Sequence, residues 1–326
     1  MTGPRAYGYT DTLDAEHYAK ALRADIRGGL TSTPKSTAPT WFYDARGSEL
    51  FEEITQLPEY PLWRAELGLL QLHAQDVAAL TGARTMVELG SGSSTKSKLI
   101  IEALGPVDLR YVPVDVSADA LHQASGQLVQ DYPGVRLHAL RADFTNALVL
   151  PAMPEEGPRL IAFLGSTLGN FRRPGRGAFL RGLRNLLRPE DYLLLGADLV
   201  KPEHEMTAAY DDGQGVTAEF NKNLLHVLNR ELDADFDPDT FDHVAVWNSA
   251  ESHIEMRLRS RVEQLVKVRG LDLAVSFGRG EEWITERSAK FTVPGLEAEM
   301  SDAGLRTQQL WADPSAGFTL TLAKAV

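Results

Sequence analysis

The 326-residue sequence predicts an α/β protein: a doubly wound parallel sheet closed by an antiparallel C-terminal hairpin, with an inserted α+β lobe. Short apolar runs recur at 85–89, 110–114, 136–140, 159–164 and 191–196, separated by helically patterned segments. Near-continuous apolar strands alternating with helices indicate a parallel sheet covered on both faces. The chain's end, "GLRTQQLWADPSAGFTLTLAKAV", reads instead as strand–turn–strand around Asp313-Pro314. Residues 200–290 break the alternation, with a long helix over Val216–Leu232 and then alternating strands in "HIEMRLRSRVEQLVKV" and "LDLAVSF".

The elements before the sheet follow in order. Residues 12–29 form an amphipathic helix closed by glycines. "TSTPKSTAPTWFYD" is an extended polar segment ending in aromatics, and "GSELFEEITQL" is a short helix from Ser48. "LWRAELGLLQLHAQDVAALTGA" is a longer helix with a leucine stripe and a glycine stop just before Thr85. Two domains are therefore expected: 64–199 with 291–326, and 1–63 with 200–290.

Composition narrows the function. With 33 basic and 45 acidic residues the net charge is −12, which argues against nucleic-acid or anionic-membrane partners and fits a small-molecule enzyme. There is no cysteine, so disulfides, thiolate nucleophiles and Cys-ligated metals are excluded. No basic-then-apolar leader and no run of about 18 apolar residues is seen, so the expected location is the cytoplasm. The eight histidines show no HxxxH or HxH spacing, so no metal is expected. "GST" around Ser166 lacks the G-x-S-x-G elbow of a hydrolase.

The stretch "MVELGSGSSTKSKLI" runs from an apolar strand into a glycine turn and a polar helix start. Gly90-Ser91-Gly92 lets the backbone approach a ligand at the strand's C-terminal edge, although a lone GxG also serves as a structural turn. The dinucleotide fingerprint needs a third glycine where this chain has Thr95. Glu88, just before the turn, suits a ligand ammonium such as that of S-adenosylmethionine, and Lys96 suits its carboxylate. Asp115 ends the second strand, where a carboxylate reaches a ribose diol. After the third strand, Asp143 suits the adenine amino group and Phe144 its ring. NAD shares the ribose but not the rest of this set. The layout is that of a class I, Rossmann-like S-adenosylmethionine methyltransferase, with a seven-stranded sheet ending in the hairpin.

"FLGSTLGNF", which follows the fourth strand, together with "WFYDARGSELFEEIT", "LPEY", "AYDDGQGVTAEFN" and "TERSAKF", resembles the ergothioneine-pathway L-histidine Nα-methyltransferase family over about residues 10 to 326. The resemblance implies a bilobed monomer that converts histidine to its trimethylated betaine, hercynine. It implies histidine contacts at Tyr60, Asn170 and Tyr210, the last two on the carboxylate, and places the Gly165 carbonyl near the amine beside Thr167. Glu286 and Ser288 would hydrogen-bond the imidazole, with Tyr43, Phe51 and Met256 lining its pocket. Tyr60, Gly165 and Asn170 would act at the reacting amine, and Gly90, Lys96, Asp115, Asp143 and Phe144 match cofactor positions.

Read from chemistry alone, Asn and Tyr supply uncharged donors for a carboxylate, and a carboxylate beside a hydroxyl suits an imidazole. Without the resemblance, Tyr210 also reads as a buried tyrosine bonded to backbone, Asn170 as a turn former and Met256 as core. The chain departs from the family's "PEYYPTR" at Pro61-Leu62-Trp63, and has Arg287 where an apolar or small residue is usual, both close to the expected acceptor pocket. The alternatives are a methyltransferase for another amino acid such as tryptophan, and a non-catalytic cofactor-binding module. The expected partner is a small-molecule amino acid.

Overall fold

A computed structural model describes residues 7–13, 15–145, 150 and 157–326 of the chain. Its main sheet has eight strands: β1 (Gly8–Asp11), β2 (Thr85–Leu89), β3 (Arg110–Asp115), β4 (Arg136–Arg141), β5 (Arg159–Phe163), β6 (Tyr192–Asp198), β12 (Leu305–Asp313) and β13 (Phe318–Ala325). Their order is β1-β4-β3-β2-β5-β6-β13-β12. All neighbours from β1 to β6 run parallel, and β13 runs antiparallel to both β6 and β12. The five apolar runs are the five central strands. β2 and β5 are wholly buried, as expected for strands covered on both faces.

The expected seventh strand is joined by an eighth. Gly8–Asp11 pairs with His138–Arg141 at the sheet edge, so this segment of the expected second domain belongs to the main sheet. Four residues, two exposed and two half-buried and one of them glycine, carry little strand signal; the pairing comes from an open edge.

The helices of this unit are α3 (Leu62–Thr81), α4 (Ser97–Leu104), α5 (Ala118–Asp131), α6 (Arg173–Leu186) and α9 (Val293–Asp302). Local chemistry sets their ends. Gly82 closes α3 in the left-handed region at φ 55°, while Ser117 and Thr292 cap α5 and α9 through their side chains.

The remaining elements are α1 (Ala15–Thr31), α2 (Ala45–Gln56), α7 (Glu203–Ala208), α8 (Val216–Leu232), β7 (Phe241–Asn248), β8 (His253–Ser260), β9 (Gln264–Val268), β10 (Leu273–Phe277) and β11 (Glu282–Ala289). They share one apolar core, which runs from Leu22, Phe42 and Leu50 to Phe220, Leu224, Met256 and Trp283. β7, β8 and β11 form an antiparallel sheet in the order β11-β8-β7, and β9 pairs with β10. The sequence left β7 and β11 unread as strands. Asp25 of α1 ties the linker down by accepting from Thr37 Oγ1 at 2.6 Å, the Ala38 N–H at 3.0 Å and Trp41 Nε1 at 2.6 Å.

From β2 the chain winds outward to β3 and β4, then returns to β5 on the other side of β2. The β2/β5 boundary is thus the topological switch point, where a crevice opens beyond the strand ends. No described helix is long and apolar enough to cross a membrane.

Candidate active site

Two loops flank the switch point. Beyond β2, Gly90 (φ 72°) and Gly92 (φ 48°) adopt left-handed conformations that admit glycine readily. The N–H groups of Gly90 and Ser91 donate to the Val114 carbonyl at 2.8 and 3.2 Å. Asp115 holds both sides of the turn: Gly92 N–H reaches Oδ2 at 3.1 Å and Ser117 N–H reaches Oδ1 at 3.0 Å. Burial raises the Asp115 pKa, while those backbone donors oppose the shift. Phe144 packs against Phe163, and a methyl group added at Gly90 would sit 3.6 Å from its ring. Asp143 is half-buried and accepts from Thr145 N–H and Oγ1 at 2.9 and 2.6 Å.

Glu88 behaves differently from a simple ligand carboxylate. It is buried, and one oxygen accepts from both Ser97 and Tyr111, tying β2 to β3 and the start of α4. Its other oxygen makes no hydrogen bond among the described residues. Burial pushes its pKa up to about 7, against the lowering effect of those two donors.

Lys96 is paired with a residue the sequence reading passed over. Glu66, fully buried in α3, accepts from Lys96 and from the Gly165 N–H at 2.9 Å on each oxygen. A methyl group at Gly196 of β6 would collide with the Glu66 carboxylate, so glycine is needed there. Glu66 therefore links the cofactor-side lysine to the loop after β5. The signal was legible: one glutamate inside the apolar stripe Leu62, Ala65, Leu69, Leu70.

In that loop Gly165 (φ 77°) and Ser166 (φ 58°) are both left-handed, an unusual state for serine. Ser166 Oγ accepts the Asp198 N–H at 2.9 Å, fixing the loop to the end of β6. The turn Thr167–Asn170 lies against β11: a methyl group at Gly169 would come within 2.6 Å of the Ala289 carbonyl. Thr167 Oγ1 donates to Leu164 O at 3.0 Å. The Asn170 amide and the Tyr60 hydroxyl bond to no described residue.

β11 supplies the facing wall. Its pairing with β8 shifts register between Ile284 and Glu286, and Thr285 donates from this bulge to Asn221 Oδ1 at 2.6 Å. Beyond the bulge Glu286, Ser288 and Lys290 alternate onto one face, with Met256 directly across from Glu286. Burial pushes the Glu286 pKa up to about 7, with Lys290 pulling the other way, and its carboxylate accepts no hydrogen bond among the described residues. Rings continue the wall: Tyr43 to Phe51 at 5.6 Å, Phe51 to Tyr60 at 6.4 Å and Tyr60 to Tyr210 at 6.2 Å between centroids. Burial raises the Tyr60 and Tyr210 hydroxyl pKa values far above the usual, with neighbouring acidic groups adding to the effect. Arg287 belongs elsewhere. It points to the opposite face and pairs with Glu255 at 3.4 Å, so this departure from the family pattern does not enter the pocket.

The turn after β2 fits an S-adenosylmethionine-like ligand. Ser91 Oγ is buried without a partner among the described residues, between two left-handed glycines and beside a ribose-competent carboxylate. No group of described His, Asp or Glu side chains could hold a metal ion.

A sequence profile for the family described as "Histidine-specific methyltransferase, SAM-dependent" matches residues 22–325. The chain belongs to this family. The histidine N-alpha-methyltransferase of Mycolicibacterium smegmatis is 49% identical over 95% of this chain and 97% of its own length. Ergothioneine biosynthesis protein 1 of Neurospora crassa is 34% identical over 64% of this chain and 25% of its length. The 4-dimethylallyltryptophan N-methyltransferase of Claviceps purpurea is 27% identical over 76% and 79%.

As an S-adenosylmethionine-dependent histidine methyltransferase, the chain has its residues of interest in two groups. Glu88, Gly90, Ser91, Gly92, Lys96, Asp115, Asp143 and Phe144 cluster at the ends of β2, β3 and β4. Tyr43, Phe51, Tyr60, Gly165, Thr167, Asn170, Tyr210, Met256, Glu286 and Ser288 lie around the loop after β5 and the inner face of β11. Three residues the sequence pattern does not single out also stand here: Glu66, bound to Lys96 and Gly165, and Asp198 with Lys290 beside Tyr210 and Ser288. Asp198 sits at the end of β6 as Asp115 does at the end of β3, and Lys290 continues the 286, 288 alternation.

Proposed function

We propose that the chain transfers methyl groups from S-adenosylmethionine to the α-amino nitrogen of L-histidine three times in succession, giving hercynine for ergothioneine biosynthesis. The observation that carries this reading is the Glu286–Ser288 pair. A buried carboxylate with no protein donor and a hydroxyl two residues on, beside Met256 and a row of aromatic rings, suit an imidazole.

S-adenosylmethionine, when bound, supplies a methyl group already activated on a sulfonium. Lys96 and the free oxygen of Glu88 are assigned to its amino-acid end, Asp115 to its ribose, and Asp143 with Phe144 to its adenine. The turn at Gly90, Ser91 and Gly92 lets the backbone come close. On the acceptor side, Asn170 and Tyr210 hold the carboxylate, while Tyr60 and the Gly165 carbonyl orient the nitrogen. The chain's main task is placement and exclusion of water. The acceptor must be a neutral amine, and an α-ammonium releases its proton above about pH 8 in water. Desolvation and a nearby cation both favour that release. The Tyr60 hydroxyl, with its pKa far above the usual, cannot serve as a phenolate base, so it relays the proton to water. The proposal takes the chain as a monomer, as the family resemblance implies, acting in the cytoplasm on two small, water-soluble substrates.

The test is to incubate the protein with S-adenosylmethionine and a panel of amino acids and identify products by mass spectrometry. Mono-, di- and trimethyl histidine with the methyl groups on Nα is the expected series. A ring-methylated product, or preference for tryptophan, would overturn the assignment. The tryptophan reading is tied to the Claviceps relative, and Glu286→Ala separates the two. If histidine is the acceptor, it loses roughly ten- to a hundred-fold in kcat/KM, about 1.5–3 kcal/mol. Relative activity on bulkier, less polar side chains should rise.

A further inference from the structure

Lys290 has no part in the mechanism above, yet it is among the most enclosed ionised groups in the protein. Only 4% of it is exposed, and its ammonium has three partners. It pairs with Asp198 at 2.7 Å, donates to the Tyr210 hydroxyl at 2.8 Å and donates to Ser288 Oγ at 3.1 Å. It also lies 4.7 Å from the centre of the Tyr210 ring. Asp198, equally buried, balances this charge and carries Lys201 on its other oxygen. The two hydroxyls are 3.0 Å apart.

A hydroxyl has one proton to give and can accept two bonds. An ammonium gives protons only, so its contacts with Tyr210 and Ser288 each occupy an acceptor position. Each hydroxyl then keeps its proton for another group. In the free protein Tyr210 donates to Ser288. With a carboxylate present, the Tyr210 proton goes to the anion, and the Ser288 proton is free for the bare nitrogen of a neutral imidazole. Glu286, on the same strand face, accepts that ring's N–H. The lysine thus couples the reader of one end of the amino acid to the reader of the other.

We propose that Lys290 is a positioning residue that acts through Tyr210 and Ser288, holding both hydroxyls as donors at a fixed spacing so that an α-carboxylate and an imidazole are recognised together. The inference rests on the assignment of Tyr210 to the acceptor carboxylate. Asp198 and Lys201 set the lysine's place in this dry site, where removing one partner of a buried pair strands the other.

The test uses the full-length enzyme with Lys290→Met, Lys290→Arg and the charge-balanced double variant Lys290→Met/Asp198→Asn, each alone and with Tyr210→Phe. Melting temperature and S-adenosylhomocysteine affinity are measured beside KM and kcat for histidine, and binding of histamine, which lacks the carboxylate, is compared with that of histidine. In the folded variants lacking the lysine, KM for histidine should rise about tenfold or more while cofactor affinity stays near wild type. The preference for histidine over histamine should shrink, and Tyr210→Phe should cost much less on top of Lys290→Met than it does alone. Lys290→Arg should recover part of the affinity.

Additive effects of Lys290→Met and Tyr210→Phe, or an unchanged histidine-to-histamine preference in either lysine-free variant, would overturn the proposal. If Lys290→Met does not fold, the charge-balanced variant decides by the same two readouts. Should Tyr210→Phe alone leave histidine binding unchanged, the underlying carboxylate assignment fails. Should Tyr210→Phe weaken histidine while neither lysine-free variant does, that assignment stands and the role of Lys290 fails.

Discussion

Two buried carboxyls assigned to the substrates, Glu286 and Glu88, carry pKa values raised to about 7 by burial. In the native state each keeps a proton that the unfolded chain releases near its ordinary value of 4.5. The native state therefore binds more protons between those values, and stability of the ligand-free protein should fall as pH rises from about 4.5 to 7. Glu286→Gln should remove part of that slope and stabilise the free protein at pH 8 by roughly 3 kcal/mol, with little change at pH 4. The same variant should weaken histidine, because a glutamine oxygen is a poorer acceptor than a carboxylate. Chemical denaturation across pH, paired with histidine KM, checks both effects; a parallel gain in affinity and stability would contradict them. Asp115→Ala should weaken S-adenosylmethionine by roughly 1.5–3 kcal/mol. It also frees the Gly92 and Ser117 N–H groups, so the turn itself should exchange amide hydrogens faster. Calorimetry showing unchanged cofactor affinity would remove Asp115 from the ribose.

At the scale of elements, strand periodicity was read well where both faces are buried and poorly where one faces water. β2 through β6 announce themselves as apolar runs, and α8 matches its expected Val216–Leu232 span. β7 and β11 escaped because His243, Glu282, Glu286 and Arg287 interrupt the apolar count, and the bulge at Thr285 breaks the alternation. The site followed the same division. The candidate cofactor residues sit at the ends of readable strands, whereas Glu66 shows only as a lone glutamate in an apolar helical stripe and Lys290 follows a strand whose pattern is broken. Packing between elements gives a direct test of Glu66. Gly196→Ala should push its carboxylate off the Gly165 N–H and Lys96, lowering kcat/KM at least about tenfold and stability by about 1–3 kcal/mol. Gly182→Ala, on an exposed face of α6 with nothing near the added methyl, should leave kinetics unchanged and stabilise by about 0.5–1 kcal/mol. Equal behaviour of the two variants in steady-state assays would count against the Glu66 link.

At the scale of the molecule there are three apolar cores, and Tyr210 and Met256, expected to read the acceptor, belong to the first. One is built from Leu22–Leu57 and Met206–Trp283, and the others lie on the two faces of the main sheet. Hydrogen exchange with S-adenosylhomocysteine and histidine together should protect 57–64, 198–202 and 286–291 more than either ligand alone; protection confined to the β2 turn would argue against a shared site. The chain passes between the sheet and the other core four times, in the intervals 11–22, 57–65, 199–206 and 283–289. The second passage carries Tyr60, Asp198 precedes the third, and Glu286 with Ser288 lies on the fourth. A hinge needs a single axis, and four strands of covalent chain give it little freedom to swing. Any torque that turns one core against the other passes in part through the two segments that carry residues assigned to the amino acid, Tyr60 on one and Glu286 with Ser288 on the other. On that assignment, opening the molecule would also loosen the substrate, and the rate of product escape would report how stiff those four tethers are.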